Sequence, residues 1–216
     1  MIILAGPKQD KREIKIQLPA HHHRIGVMLS GGADSAVLLY ILAAELNMAK
    51  SNHELITLTV PRGDGATNYV DAIVNKVNEL VPGANIALPI RLGNPDLHHS
   101  QQGRSGEIDA RAKHNIEHIF YGSQSHPPVP MPGEYPNRPS QTEFLNNRGE
   151  VSTTCPFALV DKRHTIDLYA VFDVWPLIEL THSCTHQTVG RCGECYNCKE
   201  RAWAFTELGF TDPGVM

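Results

Sequence analysis

The sequence lacks the long apolar run, about 20 consecutive residues, that a membrane-spanning helix needs. Residues 1–7 carry no basic flank, and their apolar stretch is too short for a secretory signal. These absences argue against an integral membrane protein and against a secreted one. We therefore expect a soluble chain with a cytoplasmic location and no membrane partner.

Positive charge is also scarce. The chain has 19 Lys and Arg against 23 Asp and Glu, which gives a formal net charge of −4 at pH 7. A chain with this balance has no general attraction to the phosphate backbone of a nucleic acid. We expect small-molecule substrates and no direct binding of nucleic acid.

What is present fits one α/β domain with a small appendage. The 216 residues are 41% hydrophobic and 19% charged, and a chain of this length buries a core without disulfides. Apolar runs alternate with amphipathic ones, which predicts a doubly wound parallel sheet with helices on both faces. The predicted strands are 25–29, 55–60, 86–90 and 119–121, and the predicted helices are 36–46, 66–80, 104–118, 161–172 and 196–208.

Two further segments stand outside this alternation. Residues 14–18 are a candidate edge strand. Residues 123–156 are predicted to form one long loop, with prolines at Pro127, Pro128, Pro130, Pro132, Pro136 and Pro139. A loop of that length in a compact domain is usually functional or mobile.

A glycine turn, Ser30-Gly31-Gly32-Ala33-Asp34-Ser35, joins the first of these strands to its helix. Such a turn presents backbone N–H groups and the positive end of a helix to an anion, and phosphate is the natural ligand. Ser30 and Ser35 add hydroxyl donors. Asp34 would repel a bare phosphate, so its presence argues for a bridging magnesium ion. An ordinary Ser/Gly turn before an acidic first helical turn would show the same residues.

No lysine follows the last glycine, unlike the kinase-type phosphate loop, so the chemistry should differ. Asp34 and Ser35 are candidate catalytic residues. Lys162, which opens a later predicted helix, is a third candidate that could reach phosphate, although a solvated lysine would show the same pattern. The nucleotide is expected to contact Met28, Leu29, Ser30, Gly31, Gly32, Ala33, Asp34, Ser35, Ala36, Val37 and Leu38.

Four late cysteines, Cys184, Cys192, Cys195 and Cys198, are spaced C-x7-C-x2-C-x2-C. Four thiolates at this spacing suit one tetrahedral, structural zinc ion that would pin the last helix to the sheet. An iron-sulfur pattern would need a cysteine where Ala202 stands. Free thiols, a disulfide pair, and His182 or His186 as a replacement ligand remain alternatives.

The fifth cysteine, Cys155, follows Thr154 and precedes Pro156. Neither neighbour offers a base that would activate the thiol. We therefore expect Cys155 to be a buried or loop thiol, and not a nucleophile.

The glycine turn, together with Thr181-His182-Ser183-Cys184, the segment 192–201 and the tail 204–213, resembles the 7-cyano-7-deazaguanine synthase family of PP-loop ATP pyrophosphatases. The likeness covers about residues 28–46 and 176–213. It implies an adenine nucleotide alpha hydrolase-like fold, with a PP-loop domain at 1–180 and a zinc-binding segment at 181–216. It also implies ATP, Mg²⁺ and Zn²⁺ as cofactors and a homodimer.

The reaction that the resemblance implies uses ATP twice. The carboxylate of 7-carboxy-7-deazaguanine would be adenylated, displaced by ammonia to an amide, activated again and dehydrated to the nitrile. AMP and pyrophosphate would be released, and the product would serve queuosine-type modification of tRNA or DNA.

By the same resemblance, Arg104, Tyr135, Asn137 and Arg138 are expected to touch the acceptor. The family shows Pro-Gly-Arg-Asn where this chain has Gly103-Arg104-Ser105, and Tyr-Pro-Asp-Cys-Arg where it has Tyr135-Pro136-Asn137-Arg138. The carboxylate lost at Asn137 leaves the acceptor and the second step open. Ordinary loop or helix polarity would also explain these four residues.

Other functions stay open at this point. The chain could stop at the amide or use another acceptor, including a protein. A tRNA sulfur transferase would want an RNA-binding domain, basic charge and a catalytic cysteine pair, none of which is clear in the sequence. A nucleotide-binding module that depends on a partner is the third possibility.

Overall fold

The computed structural model describes residues 1–94, 97, 99–133 and 136–214. Its first two strands, β1 (Ile2–Ala5) and β2 (Arg12–Lys15), pair antiparallel as a small separate sheet. The predicted edge strand at 14–18 is therefore wrong in its bounds and does not join the main sheet. Ile3 and Ile14 turn inward to the core, because alternate residues of a strand face opposite sides.

The main sheet has six strands, with bounds β3 (Arg24–Met28), β4 (Glu54–Thr59), β5 (Ile90–Arg91), β6 (His118–Tyr121), β7 (Glu143–Leu145) and β8 (Val151–Thr154). Their order is β5-β4-β3-β6-β8-β7. All neighbours are parallel except β7, which runs antiparallel to β8. The predicted doubly wound sheet is confirmed, and it is mixed because of this edge strand.

Helices cover both faces of the sheet. Their bounds are α1 (Ala33–Met48), α2 (Val70–Leu80), α3 (His99–His114), α4 (Lys162–Val171), α5 (Trp175–Ile178) and α6 (Tyr196–Leu208), and a 3-10 turn at Ala66–Tyr69 precedes α2. The larger apolar cluster joins one face of β3 to α1, α2 and α4, and a smaller cluster joins Met28 and Leu58 to Ala110 of α3. Within the described residues, no helix combines the length and apolarity needed to span a bilayer.

The strand predicted at 86–90 is wrong, since β5 contains only Ile90 of that segment. Side chains of neighbouring elements form hydrogen bonds with backbone groups that would otherwise pair with another strand. Asn78 accepts from the Ile86 N–H at 2.8 Å, and Thr57 donates to the Ala87 carbonyl at 3.0 Å. Pro89 has no N–H to offer a ladder, so pairing begins only after it.

The helix predicted at 104–118 is also wrong in its bounds, because α3 ends at His114 and His118 begins β6. Asn115 has a φ of 54°, in the left-handed region that commonly ends a helix. The predicted single loop at 123–156 is wrong in part, since it contains the β7–β8 hairpin. There the Asn146 N–H donates to the Glu150 carbonyl at 2.8 Å.

The remaining helix predictions agree better with the structure. Helix α6 has the predicted bounds, and Gly209 closes it with a φ of 70°. Asp161 caps α4 by accepting from the Arg163 N–H. The short helix α5 had no counterpart in the prediction.

Candidate functional site

The glycine turn lies at the carboxyl end of β3, directly before α1. Strand β3 lies between β4 and β6, and later strands extend the sheet outward on both sides. In open α/β sheets, ligands bind in the crevice outside the carboxyl ends of the strands at such a switch point. The turn therefore has the position of a nucleotide-binding loop.

Gly31 holds a backbone conformation and a packing distance that exclude a side chain. Its φ is +84°, and a Cβ there would lie 1.9 Å from the carbonyl oxygen of Ala66. The Gly31 carbonyl accepts from the His182 N–H at 2.9 Å. The loop is thus clamped between the 3-10 turn and the segment that begins the cysteine region.

The two serines of the glycine turn are hydrogen-bonded to each other. The hydroxyl oxygens of Ser30 and Ser35 are 3.0 Å apart, and Ser35 Oγ also donates to the Gly32 carbonyl at 3.1 Å. Gly32 is the N-cap of α1 and gives it no side-chain cap. The first turn of α1 therefore has the character of an anion site.

Asp34 lies in this first turn and is the centre of a polar cluster. Lys162 donates to its Oδ2, and Thr165 donates to its Oδ1 at 2.7 Å. With the amide of Gln124 turned to satisfy both neighbours, its nitrogen donates to Asp34 Oδ2 at 3.1 Å and its oxygen accepts from Lys162 at 2.9 Å. The structure thus brings Asp34 and Lys162 together across 128 residues of sequence.

A second carboxylate, Glu200 of α6, continues this cluster away from the loop. Glu200 Oε2 lies 4.0 Å from Lys162 Nζ. Arg138 binds Glu200 in a bidentate pair, with N···O distances of 2.6 and 2.7 Å. We call Asp34, Lys162, Glu200 and Arg138 the buried ion chain, since the exposed fractions of their side chains are 17, 8, 1 and 8%.

Sequence reasoning missed Gln124, Thr165 and Glu200. Thr165 stands three residues after Lys162 on a helix, so helical spacing could have found it. Glu200 carries no such signal, because a glutamate in a charged helical stretch is usually solvated.

The four candidate acceptor residues do not share one position. Arg104 lies on α3 and Asn137 in the proline-rich segment, and both are exposed. Arg138 is engaged by Glu200 and also donates to the Ser125 carbonyl at 2.7 Å. Tyr135 lies outside the described residues.

The four cysteines of the C-terminal region converge. Their sulfur atoms all lie within 4.8 Å of one another, and Cys184, Cys195 and Cys198 are buried. Cys195 is the N-cap of α6 and Cys198 lies in its first turn, whereas Cys184 comes from the loop after α5. The cluster could hold a metal ion and would then tie these segments together.

Backbone amides surround the sulfurs as they do around metal-bound thiolates. Cys184 Sγ accepts from the N–H groups of His186 and Gln187 at 3.4 and 3.3 Å, and Cys192 Sγ accepts from Cys195 at 3.2 Å. Burial opposes ionisation of Cys184, but the hydrogen bonds around it hold its pKa below the usual value. In the same cluster, burial raises the pKa of Cys198 to about 12.

Cys155 and His182 lie apart from this cluster. Cys155 is 5% exposed, and burial raises its pKa to about 11. It is the buried thiol expected from the sequence. The His182 ring stacks on Tyr69, and its Nε2 lies 2.8 Å from the Gln187 carbonyl. This ring therefore contacts the 3-10 turn that ends at Tyr69.

Comparison with known proteins gives one family match. Residues 111–209 match the family described as queuosine biosynthesis protein QueC. That segment includes Lys162, Glu200 and all four clustered cysteines, but not the glycine turn. No curated protein matches the sequence.

Eighteen chains of known structure match the fold. The U34-tRNA thiolase NcsA from Methanococcus maripaludis, with its [4Fe-4S] cluster, has a TM-score of 0.47 and 17% identity over 85% of this chain. The present chain covers 64% of that thiolase. NAD+ synthetase from Burkholderia pseudomallei has a TM-score of 0.43 and 16% identity over 89% of this chain and 76% of its own.

The family match and the glycine turn lie in different parts of the sequence and meet in the structure. Lys162, from the matched segment, contacts Asp34 of the turn. This combination indicates an ATP-using enzyme. Over residues 111–209 the chain is QueC-like, and its glycine turn has the Ser-Gly-Gly-Ala-Asp-Ser sequence that resembles a PP-loop.

Proposed function

We propose that this chain is an ATP-dependent ligase that converts 7-carboxy-7-deazaguanine and ammonia to 7-cyano-7-deazaguanine. In the first round, the acceptor carboxylate attacks the α-phosphorus of ATP and pyrophosphate leaves. Ammonia then displaces AMP from the acyl adenylate and gives the amide. In the second round, the amide oxygen attacks the α-phosphorus of another ATP and pyrophosphate leaves, and loss of AMP and of both protons from the amide nitrogen gives the nitrile.

The observation that carries this proposal is the contact between Lys162 and Asp34 at the first turn of α1. It unites a phosphate-binding turn with the segment that matches the QueC family. A lysine at this place offers positive charge where a phosphoryl group is transferred.

Different groups of the glycine turn bind different parts of ATP. The hydroxyls of Ser30 and Ser35 and the N–H groups of the loop bind the phosphates and then the leaving pyrophosphate. The Lys162 ammonium offsets negative charge that develops on the α-phosphoryl group. The other positions from Met28 to Leu38 that are expected to contact the nucleotide form the strand and helix that frame it.

A divalent cation fits beside Asp34, whose carboxylate oxygens are the donor type that Mg²⁺ prefers. Asp34 would hold the ion after Lys162 moves off its Oδ2. Bound Mg²⁺ would supply charge neutralisation at the phosphates.

Zinc fits the cysteine cluster. Four sulfurs around one tetrahedral zinc, at bonds of about 2.3 Å, stand roughly 3.8 Å apart, which agrees with four atoms gathered within 4.8 Å. A four-iron cluster spreads its cysteine ligands over four metal atoms and spaces them more widely. We propose one structural zinc per chain.

The acceptor would lie at the carboxyl ends of β6 and β8, beside the ATP site. We retain Arg104, Tyr135, Asn137 and Arg138 as acceptor residues, with Arg138 acting only if it leaves Glu200. Assembly as a homodimer belongs to the same proposal.

The test follows AMP and the deazaguanine by mass spectrometry in a mixture of Mg-ATP, ammonium and 7-carboxy-7-deazaguanine. Nitrile and AMP are expected from the wild-type chain, and Asp34→Ala or Asp34→Asn should abolish both. Glu54→Gln, a charge removal at the opposite, amino end of β4, is the matched control and should keep wild-type activity.

Each outcome of that assay has a definite meaning. Amide without nitrile would identify a shortened reaction and connect it with Asn137. No AMP from folded, metal-loaded protein that still binds Mg-ATP would overturn the acceptor assignment.

A further inference from the structure

The contacts of Glu200 do not match those of a surface helix residue. Its side chain is 1% exposed, yet it carries a charge, and burying a carboxylate is costly unless it is fully paired. Both of its oxygens bind Arg138, and one also faces Lys162 at 4.0 Å. A buried charge that faces these two cations restricts where they can stand.

Lys162 is the partner that matters for chemistry. Its ammonium faces Asp34, the amide of Gln124 and Glu200. Arg138 faces the other side of Glu200 and lies over the Tyr196 ring at 5.4 Å. Two anions and two cations thus balance within the buried ion chain.

The buried ion chain is fixed at the end that Glu200 forms. Glu200 stands two residues after Cys198 on α6, and a metal ion bound by the cysteine cluster would hold the start of that helix. Arg201, the next residue, is 1% exposed and binds Asp212 through two hydrogen bonds of 2.9 Å. The backbone that carries Glu200 is therefore anchored on both sides, whereas Lys162 is a flexible side chain.

We propose that Glu200 is a positioning residue of the phosphate site: from the cysteine-anchored helix, it holds Lys162 beside Asp34 through the buried ion chain. When Asp34 turns to a cation brought by the nucleotide, Glu200 remains as the counter-ion that keeps the Lys162 ammonium at the loop. The inference rests on the proposed function, because its test needs both binding of Mg-ATP and formation of AMP with the acceptor.

The experiment measures binding and turnover separately in Glu200→Gln, which keeps size and hydrogen bonding but removes the charge. Binding is measured by calorimetry with Mg²⁺ and α,β-methylene-ATP, which cannot be cleaved at the reacting bond. Turnover is the rate of AMP formation with the acceptor. Glu207→Gln, the same change on an exposed residue of α6, is the matched control and should match the wild type in both.

We expect a split between the two readouts. The Kd of Glu200→Gln should fall about threefold or more, because a negative charge near a polyanionic ligand is removed. The kcat should fall about tenfold or more, because Lys162 loses its fixed place. Glu200→Asp keeps the charge and should return the Kd to within about twofold of the wild-type value.

A merely structural glutamate would give another pattern. Weaker binding and slower turnover in equal measure, together with a lower melting temperature, would overturn the proposal, and so would an unchanged Kd. If wild-type protein does not bind the analogue, the proposed function fails, and this inference fails with it.

Glu200→Gln leaves Arg138 without a counter-ion, and its folding is checked by tryptophan fluorescence. If it does not fold, Glu200→Gln/Arg138→Gln replaces it, since that variant removes one charge of each sign. Its kcat should fall about tenfold below that of Arg138→Gln alone, which carries any loss that is due to the proposed acceptor residue, while its Kd stays within about twofold of the wild-type value. A kcat equal to that of Arg138→Gln alone would overturn the proposal.

Discussion

At the scale of single residues, the shape of the glycine turn depends on Gly31 having no side chain. Gly31 approaches the backbone of Ala66 more closely than any other residue could, with a φ of +84°. A side chain there would meet rigid backbone and could not be relieved by a rotamer change. The glycine is therefore required by packing as well as by its own backbone angles.

Gly31→Ala is expected to lower the free energy of unfolding by about 2 kcal/mol or more and to abolish nucleotide binding. The Cβ would displace either the loop or the 3-10 turn. Chemical denaturation and calorimetry with Mg-ATP check both effects. Gly63→Ala is the matched control and should be close to neutral, because nothing lies within 4 Å of a Cβ at that position.

His118 begins β6 and gives the stability a specific pH dependence. Burial lowers the pKa of its ring to about 4, while its hydrogen bond to the Val151 carbonyl opposes that shift and His22 and Arg111 add to it. The unfolded chain takes up this proton near pH 6.5. As the pH falls from about 6.5 to about 4, only the unfolded state gains the proton, so the fold is destabilised.

In His118→Gln this part of the acid destabilisation should disappear. Urea unfolding at pH 7, 5.5 and 4.5 measures it, and the exposed His21→Gln is the control. If the free energy of unfolding falls equally with decreasing pH in the wild type, His118→Gln and His21→Gln, His118 is not responsible.

At the scale of elements, α6 connects the two halves of the site. Its first turn carries Cys198, its second carries Glu200, and Phe205 further along packs into the larger core cluster. A metal ion in the cysteine cluster would therefore fix the direction of a helix that reaches the glycine turn through the buried ion chain.

Cys198→Ser should lose the bound metal and lower the melting temperature, because three sulfurs complete a structural site poorly. Elemental analysis is expected to find one zinc per wild-type chain and much less in the variant. Cys155→Ser removes a buried thiol outside the cluster and should keep a full equivalent. Iron and sulfide at several equivalents per chain would contradict the single-zinc assignment.

At the scale of the whole molecule, one core spans most of the sequence. The larger apolar cluster contains Ile3 near the start and Phe205 near the end. The segment after residue 180 also contacts the glycine turn, where the His182 N–H donates to the Gly31 carbonyl. The cysteine segment is thus integrated with the sheet.

The metal-loaded chain should therefore unfold in one cooperative transition. Differential scanning calorimetry and near-ultraviolet circular dichroism should give the same midpoint. A chain ending at residue 180 should fail to fold, since it loses Phe205 from the core and Glu200 from the ion chain. A separate, earlier transition of the cysteine segment would contradict this expectation.

Local patterns determined the parts of the structure that rest on short stretches of sequence. The glycine turn, the alternation of strands and helices, the bounds of α6 and the cysteine spacing are each encoded within a few neighbouring residues. Backbone preference and apolar periodicity act over that range, so a single sequence reveals them. Where the predictions were wrong, at 86–90 and after residue 114, a partner side chain or one left-handed residue decided the outcome.

Only the tertiary structure decided which charges meet. Asp34, Lys162 and Arg138 were separate candidates in the sequence and Glu200 was not a candidate, and nothing in the sequence indicated that the four side chains meet. Burial turned them into one balanced cluster, because a charge that leaves water must find its counter-ion within the fold. That requirement acts through space and leaves no periodic trace along the chain.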